Sequence, residues 1–243
     1  MKALGRQNAW FSFKGVRNDA LDVRMLSMPT RPHPARKGTV KNIPGRDGKL
    51  FMDEGAYDRI LVSIRCITGG NENIDAVNAW LSGSGALVFG DEPDRAYRAS
   101  ITKEFSRTNR NPRLRGQEFT VVFDCEPYRY ESEPAPPIVI EDAGSITNPG
   151  TVNALPLMRV NCIGSGTLMV GNRSMLFTDV PSFVYVDCET KIAYTGEGTP
   201  ESPFVLATQC ISGDWIEIEP GYQPVSITGT ITSVTITPRW RWL

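Results

Sequence analysis

Asp58-Arg59-Ile60-Leu61-Val62-Ser63-Ile64-Arg65-Cys66-Ile67-Thr68 is the stretch that sets the fold class. Ile60, Val62, Ile64 and Cys66 recur at every second position, while Arg59, Ser63 and Arg65 share the other side with Leu61 and Ile67. Period two with one more apolar side is the pattern of a strand that buries one face. The same alternation appears to either side. Trp10-Phe11-Ser12-Phe13 is a short apolar run ended by Lys14-Gly15, and Gly85-Ala86-Leu87-Val88-Phe89 is closed by Gly90-Asp91. Tyr97, Ala99 and Ile101 alternate with Arg98, Ser100 and Thr102, and Phe119, Val121, Phe123 and Cys125 alternate with Thr120, Val122 and Asp124.

One helix interrupts these strands. Asn73 is placed to cap it, Ile74, Val77 and Leu81 fall on one side with Trp80 beside them, and Gly83 suits the left-handed position after its end. Strands with one helix predict an α+β first half. Residues 29 to 55 read as a long irregular segment, because Pro29, Pro32 and Pro34 block ladder pairing. That segment is basic: from Arg31 to Lys49 it has six Lys+Arg and one acid, Asp47. A loop of such length in a compact domain points to partner binding, with a solvated loop as the alternative.

Glu131-Ser132-Glu133-Pro134-Ala135-Pro136-Pro137 reads as a stiff, wet linker. The charge reverses there. Residues 1–130 hold 21 Lys+Arg against 15 Asp+Glu, a net +6, and residues 131–243 hold 5 against 12, a net −7. The expected domains are therefore 1–133 and 138–243, with the final strand free to return to the first. Strand candidates in the second half are Leu157–Cys162, Thr167–Val170, Ser174–Phe177, Ser182–Asp187, Ile192–Tyr194, Trp215–Glu219, Val225–Thr230 and Val234–Trp242, and Gly171-Asn172 is a hairpin turn signal. Many short strands without a helix signal predict a β-sandwich.

The 243 residues are 40% hydrophobic and 22% charged, a globular composition. No apolar run reaches the roughly 18 residues of a membrane helix, and the opening Met1-Lys2-Ala3-Leu4-Gly5-Arg6 has no signal-peptide core. Cys66, Cys125, Cys162, Cys188 and Cys210 are odd in number and widely spaced, which predicts free thiols in a reducing compartment. His33 is the sole histidine and lies in Arg31-Pro32-His33-Pro34, so triad and histidine-metal chemistry have one exposed residue to pass through. P-loop, HExxH, EF-hand and GxSxG motifs are absent, and Gly164-Ser165-Gly166 reads as a turn between strands. The Asn172-Arg173-Ser174 sequon carries no meaning without secretion. The basic run Arg107 to Arg115 lacks the aromatics of a base-stacking surface. Acids such as Glu217 and Glu219 alternate out of a strand as a solvated face does. Trp215, Trp240 and Trp242 are a candidate sugar platform, weighed against core packing beside Val234 and Ile236. No catalytic, cofactor or metal residue is expected.

The order of motifs resembles a known family. Ile43-Pro44-Gly45-Arg46-Asp47-Gly48, the strand Ile60–Ile67, Trp80-Leu81, Tyr97-Arg98-Ala99 and Phe123-Asp124-Cys125-Glu126-Pro127-Tyr128 look like the N-terminal domain of phage distal tail (Dit) proteins of long, non-contractile tails. Asn148-Pro149-Gly150, Val186-Asp187-Cys188, Glu219-Pro220-Gly221 and Arg239-Trp240-Arg241-Trp242 are similar to the second half of that family, so the resemblance covers nearly the whole chain.

The resemblance implies a mainly β protein with a ring-forming N-terminal α+β (belt) domain. A galectin-like, carbohydrate-module-like β-sandwich would follow it. It implies a non-enzymatic virion protein, a homohexameric ring at the distal end of the tail, assembled in the host cytoplasm. The ring would join the tail-tube protein to the tail-tip protein and adsorption apparatus, and in many relatives it anchors receptor-binding proteins. It implies no cofactor, no membrane insertion and no nucleic-acid specificity. Pro44, Gly45, Arg46, Asp47 and Gly48 become the candidate interface loop. The alternatives are a carbohydrate-binding or glycan-active protein working through the sandwich, and a nucleic-acid-binding protein working through the +6 half.

Overall fold

A computed structural model of the chain describes residues 9–69, 74–108 and 116–243. Contacts divide the chain into two compact units, Met1–Ser132 with Leu243, and Glu133–Trp242. The structure is mainly β. The opening residues 1–8, the helix cap at Asn73 and residues 109–115 of the basic run lie outside the described residues.

In the first unit the strands are β1 (Phe11–Phe13), β2 (Val16–Arg17), β3 (Val23–Met25), β4 (Arg36–Lys41), β5 (Leu50–Tyr57), β6 (Ile60–Thr68), β7 (Gly83–Phe89), β8 (Glu92–Ile101), β9 (Arg107–Thr108) and β10 (Glu118–Glu131). Among the described residues the one α-helix, α1 (Ile74–Trp80), lies between β6 and β7. The main sheet runs β2-β1-β7-β8-β10-β6-β3, with β9 beside β10. β6 keeps the expected alternation: Ile60, Val62, Ile64 and Cys66 are buried, and Leu61 is exposed. They pack with Phe11, Phe13, Leu87, Phe119, Val121 and Phe123 into one core.

A helix of seven residues does not hold itself together in water, so α1 depends on what it buries. Trp80 stacks on Phe11 at 5.4 Å, and its indole N–H donates to the Phe13 carbonyl at 2.8 Å. Gly83 has φ +69°, the left-handed conformation expected of it, and opens β7. Asn18 is a buried polar residue that periodicity does not flag. It accepts from Phe11 N at 2.8 Å and donates to Val23 O at 2.7 Å, tying the chain between β1 and β3.

The segment read as irregular from 29 to 55 is in large part a hairpin, β4 with β5. The prolines at 29, 32 and 34 all precede β4, and Pro44 falls in the turn, so none interrupts the ladder.

The second unit contains β11 (Ile138–Ile140), β12 (Gly144–Asn148), β13 (Leu157–Val170), β14 (Arg173–Val180), β15 (Phe183–Asp187), β16 (Ile192–Thr195), β17 (Val205–Leu206), β18 (Ile211–Gly213), β19 (Gly221–Thr237) and β20 (Arg241–Trp242). Two strands are longer than the sequence reading has them. Leu157–Cys162 and Thr167–Val170 are halves of β13, and Gly164-Ser165-Gly166 is a bulge within it rather than a turn between strands. Val225–Thr230 and the first part of Val234–Trp242 likewise belong to β19. Each long strand serves two layers. Residues 157–161 of β13 pair with β15, and residues 166–170 pair with β14. The bend needs glycine: Gly229 has φ +75°, and a Cβ there would stand 2.6 Å from Ser165 O.

Trp215–Glu219 forms no ladder beyond the Ala154–Ile218 bridge, although Ile216 and Ile218 are buried. Inside the layers lie Met158, Val160, Leu168, Phe177, Val186, Val234 and Ile236. Trp240 and Trp242 belong to this core and Trp215 packs against it, so the three tryptophans form no surface platform. Arg239, at φ +53°, turns the chain between β19 and β20. It is fixed by its bond to Asp187 at 2.8 Å and by its pairing with Glu189 at 3.2 Å.

Candidate functional site: an uncovered hairpin

The β4–β5 hairpin forms a two-stranded sheet of its own, and β4 is exposed along its whole length. Its turn follows from sequence. Arg46 N donates to Ile43 O at 3.2 Å across Pro44-Gly45, with Gly45 at φ +78°, the type II arrangement that takes proline then glycine. Register pairs Val40 with Phe51 and Thr39 with Met52. Directly opposed residues share a face, so Val40 and Phe51 lie on one side and Met52 on the other. Val40 is 55% exposed, Phe51 48% and Met52 47%, and Ile43 stands exposed at the turn. Gly38 leaves room for the Phe51 ring, which a Cβ at that position would strike.

The root of the hairpin is anchored. The Arg36 guanidinium lies 4.4 Å from the Tyr57 ring, and Tyr57 meets the edges of His33 and Tyr128 at 6.5 and 6.1 Å. Asp58 N donates to Ala35 O at 2.8 Å. Chemistry-bearing His33 is thereby an exposed residue at the hairpin root, its Nδ1 2.9 Å from Pro34 O. The arrangement is an anchored base carrying an exposed arm that shows Val40, Ile43, Phe51 and Met52 among charged residues. An isolated two-stranded hairpin is marginal in water, so this arm lacks a covering surface within its own unit. Of the candidate loop, Pro44, Gly45, Arg46, Asp47 and Gly48 are all exposed at the tip. Among the described residues no ion pair engages Arg46 or Asp47. Periodicity missed the arm; its composition of turn formers and basic residues is the signal that singled out the region.

Several other reactive groups are held in structural contacts. Burial pushes the thiols of Cys66, Cys125 and Cys188 up to about 12, where they remain protonated. Glu217 is bonded to Arg173 and Asn153, each at 2.9 Å. Burial alone would raise the Asp187 carboxyl. The Arg239 guanidinium and the backbone N–H groups of Glu189 and Thr190 outweigh that and hold it below the usual carboxylate range.

An α+β sheet unit carrying the hairpin and a second unit of layered β-strands make up the fold, and a solved structure shares it. The chain is similar to SPP1 Dit (gp 19.1), described as a paradigm of the hub adsorption apparatus in phages infecting Gram-positive hosts. The TM-score is 0.66 at 15% identity, covering 96% of this chain and 99% of that one. Two structures of the phage P2 baseplate in its activated conformation, with Ca and with Sr, match with TM-scores of 0.48 and 0.45. Their identities are 9% and 10%, and each match covers 88% of this chain and 90% of the other. No protein-family model matches the sequence, and no curated protein matches it.

Proposed function

We propose that the protein is a structural virion protein, a distal tail hub whose copies close into a homohexameric ring between the tail tube and the tail-tip or baseplate and adsorption apparatus. The observation that carries this reading is the fold shared with SPP1 Dit over almost the full length of both chains. The uncovered β4–β5 hairpin supports it. A ring requires one surface of each copy to seat on a different surface of the next, and a projecting apolar arm serves that geometry. Residues 1–133 would form the ring, and the sandwich of 138–243 would decorate it. The partners are further copies, the tail-tube protein and the tail-tip protein, and the work is mechanical rather than catalytic. Negative-stain imaging with mass measurement of the purified chain tests the proposal: six-fold rings with a central hole are expected, alone or with the tube protein present. A chain that stays monomeric under both conditions overturns it.

A further inference from the structure

The outer face of one sandwich layer carries a continuous aromatic row. Register places Arg159 beside Tyr185, Tyr185 beside Tyr194, and Tyr194 beside Leu206. Tyr185 and Tyr194 stack at 5.3 Å, and Phe204 meets Tyr194 edge-on at 5.0 Å. The row ends in bare apolar surface: Phe204 is 62% exposed, Val205 57%, Leu206 67% and Ile192 43%. Leu206 lies on the Tyr194 face and Val205 on the opposite one, so β17 shows apolar side chains on both.

This surface is built rather than frayed. The Ser202 carbonyl accepts from the backbone N–H groups of Glu197, Gly198 and Thr199 at 2.9 to 3.2 Å, closing the loop that leads into β17. Gly198 lies under the Phe204 ring, where a Cβ would come within 2.6 Å of it. Glu197 accepts from the Tyr185 hydroxyl at 2.9 Å and pairs with Arg159 at 3.4 Å, tying that loop to the row.

We propose that Ile192, Phe204, Val205 and Leu206 form a docking knob for a different polypeptide, one that presents an apolar groove rimmed by lysine and arginine. Contiguous exposed apolar side chains mark an interaction surface. The basic rim follows from charge, since residues 131–243 carry a net −7, and of the acids in that sum Glu201 lies in the loop into the knob. The same charge opposes docking against the sandwich of a second copy. Strand pairing between copies is also blocked, because β17 has only two residues and Pro200 and Pro203 precede it. That the polypeptide is another tail protein rests on the hub reading; the chemistry of the knob does not.

The test replaces Val205 with the photo-crosslinker p-benzoylphenylalanine in the full chain, and separately Val40 of the hairpin, with irradiation in the cells that produce the natural assembly. Val205 is expected to link to a different chain, at a segment with excess Lys+Arg flanking apolar residues. Adding Leu206→Ser should cut that yield about tenfold, as loss of one buried leucine contact implies, with the melting temperature unchanged. A link from Val205 to another copy of this chain, to an acidic segment, or to nothing overturns the knob. Val40 reports separately: no link from Val40 to a second copy counts against the hub reading and leaves the Val205 result standing.

Discussion

Phe51→Ser puts the hairpin reading to a quantitative test. Phe51 leaves 48% of its surface in water. An aromatic side chain offers roughly 200 Å², so about 100 Å² awaits cover. At about 25 cal/mol per Å² this is worth about 2.5 kcal/mol at each subunit contact, or roughly 60-fold in the association constant. The fold of the single chain loses little, since a solvated surface substitution moves stability by about 0.5 kcal/mol or less. Gly38→Ala supplies an independent route to the same outcome. Its Cβ would fall on the Phe51 ring and 2.5 Å from Met52 O, so the ring is displaced while the exposed apolar chemistry is kept. Sedimentation velocity over a concentration series measures assembly, and circular dichroism melting measures the fold. Both variants are expected to shift the assembly midpoint to higher concentration, Phe51→Ser with nearly unchanged melting and Gly38→Ala with a lowered melting temperature, because its Cβ also meets the Met52 backbone carbonyl. Phe51→Ser assembling at the wild-type concentration would refute the argument, because the hairpin face would then not be the covered surface.

Gly229→Ala is expected to cost about 2–5 kcal/mol, from left-handed backbone and a backbone clash, and Gly221→Ala only about 1–2 kcal/mol; Gly221 has φ +87° but open space around it. Denaturant unfolding followed through the second unit's tryptophans separates the two, and equal losses would refute the account of the strand bend. Among the thiols, half-buried Cys210 should react first with a disulfide reagent at pH 8, and Cys66, Cys125 and Cys188 only on unfolding; rapid native reaction of the latter three contradicts their burial. Asp187 has a folded pKa below its unfolded value, so its contribution is present above about pH 4 and is lost as pH falls through the folded value. Asp187→Asn should therefore flatten the acid limb of the second unit's melting temperature, and an unchanged acid limb counts against the Asp187–Arg239 tie.

The legible parts of the fold are those with a core to face. Ile60, Val62, Ile64 and Cys66 alternate because a packed interior lies on one side of β6, and that difference is written into residue type. The bends of β13 and β19 were not legible. Gly164-Ser165-Gly166 has the composition of a turn, and only the neighbouring β19 running on across it makes it a bulge. Asn18 and Asn148 were hidden for a similar reason. Each is a buried amide whose partners lie several residues away or, for Asn148, at Ile218, so its role depends on contacts that spacing does not encode. In Trp240 and Trp242, core packing and a sugar platform share one sequence pattern, and burial decides for the core.

The hairpin failed to show for a different reason, and that reason bears on function. Val40 and Phe51 lie on one face and Met52 on the other, and all are exposed. A strand that buries one face in its own unit shows period two; an arm with apolar and charged residues on both faces and neither face buried has no contrast to reveal. Val205 and Leu206 repeat the case on β17, with Phe204 just before it, apolar on both faces and without a charged side. Periodicity is a record of burial within the chain. Two ordered elements that carry apolar residues without it are the places where the chain's own interior does not explain its sequence, and the proposed assembly would supply the missing surfaces. One lies in the basic half and the other in the acidic half, which favours different partners for each.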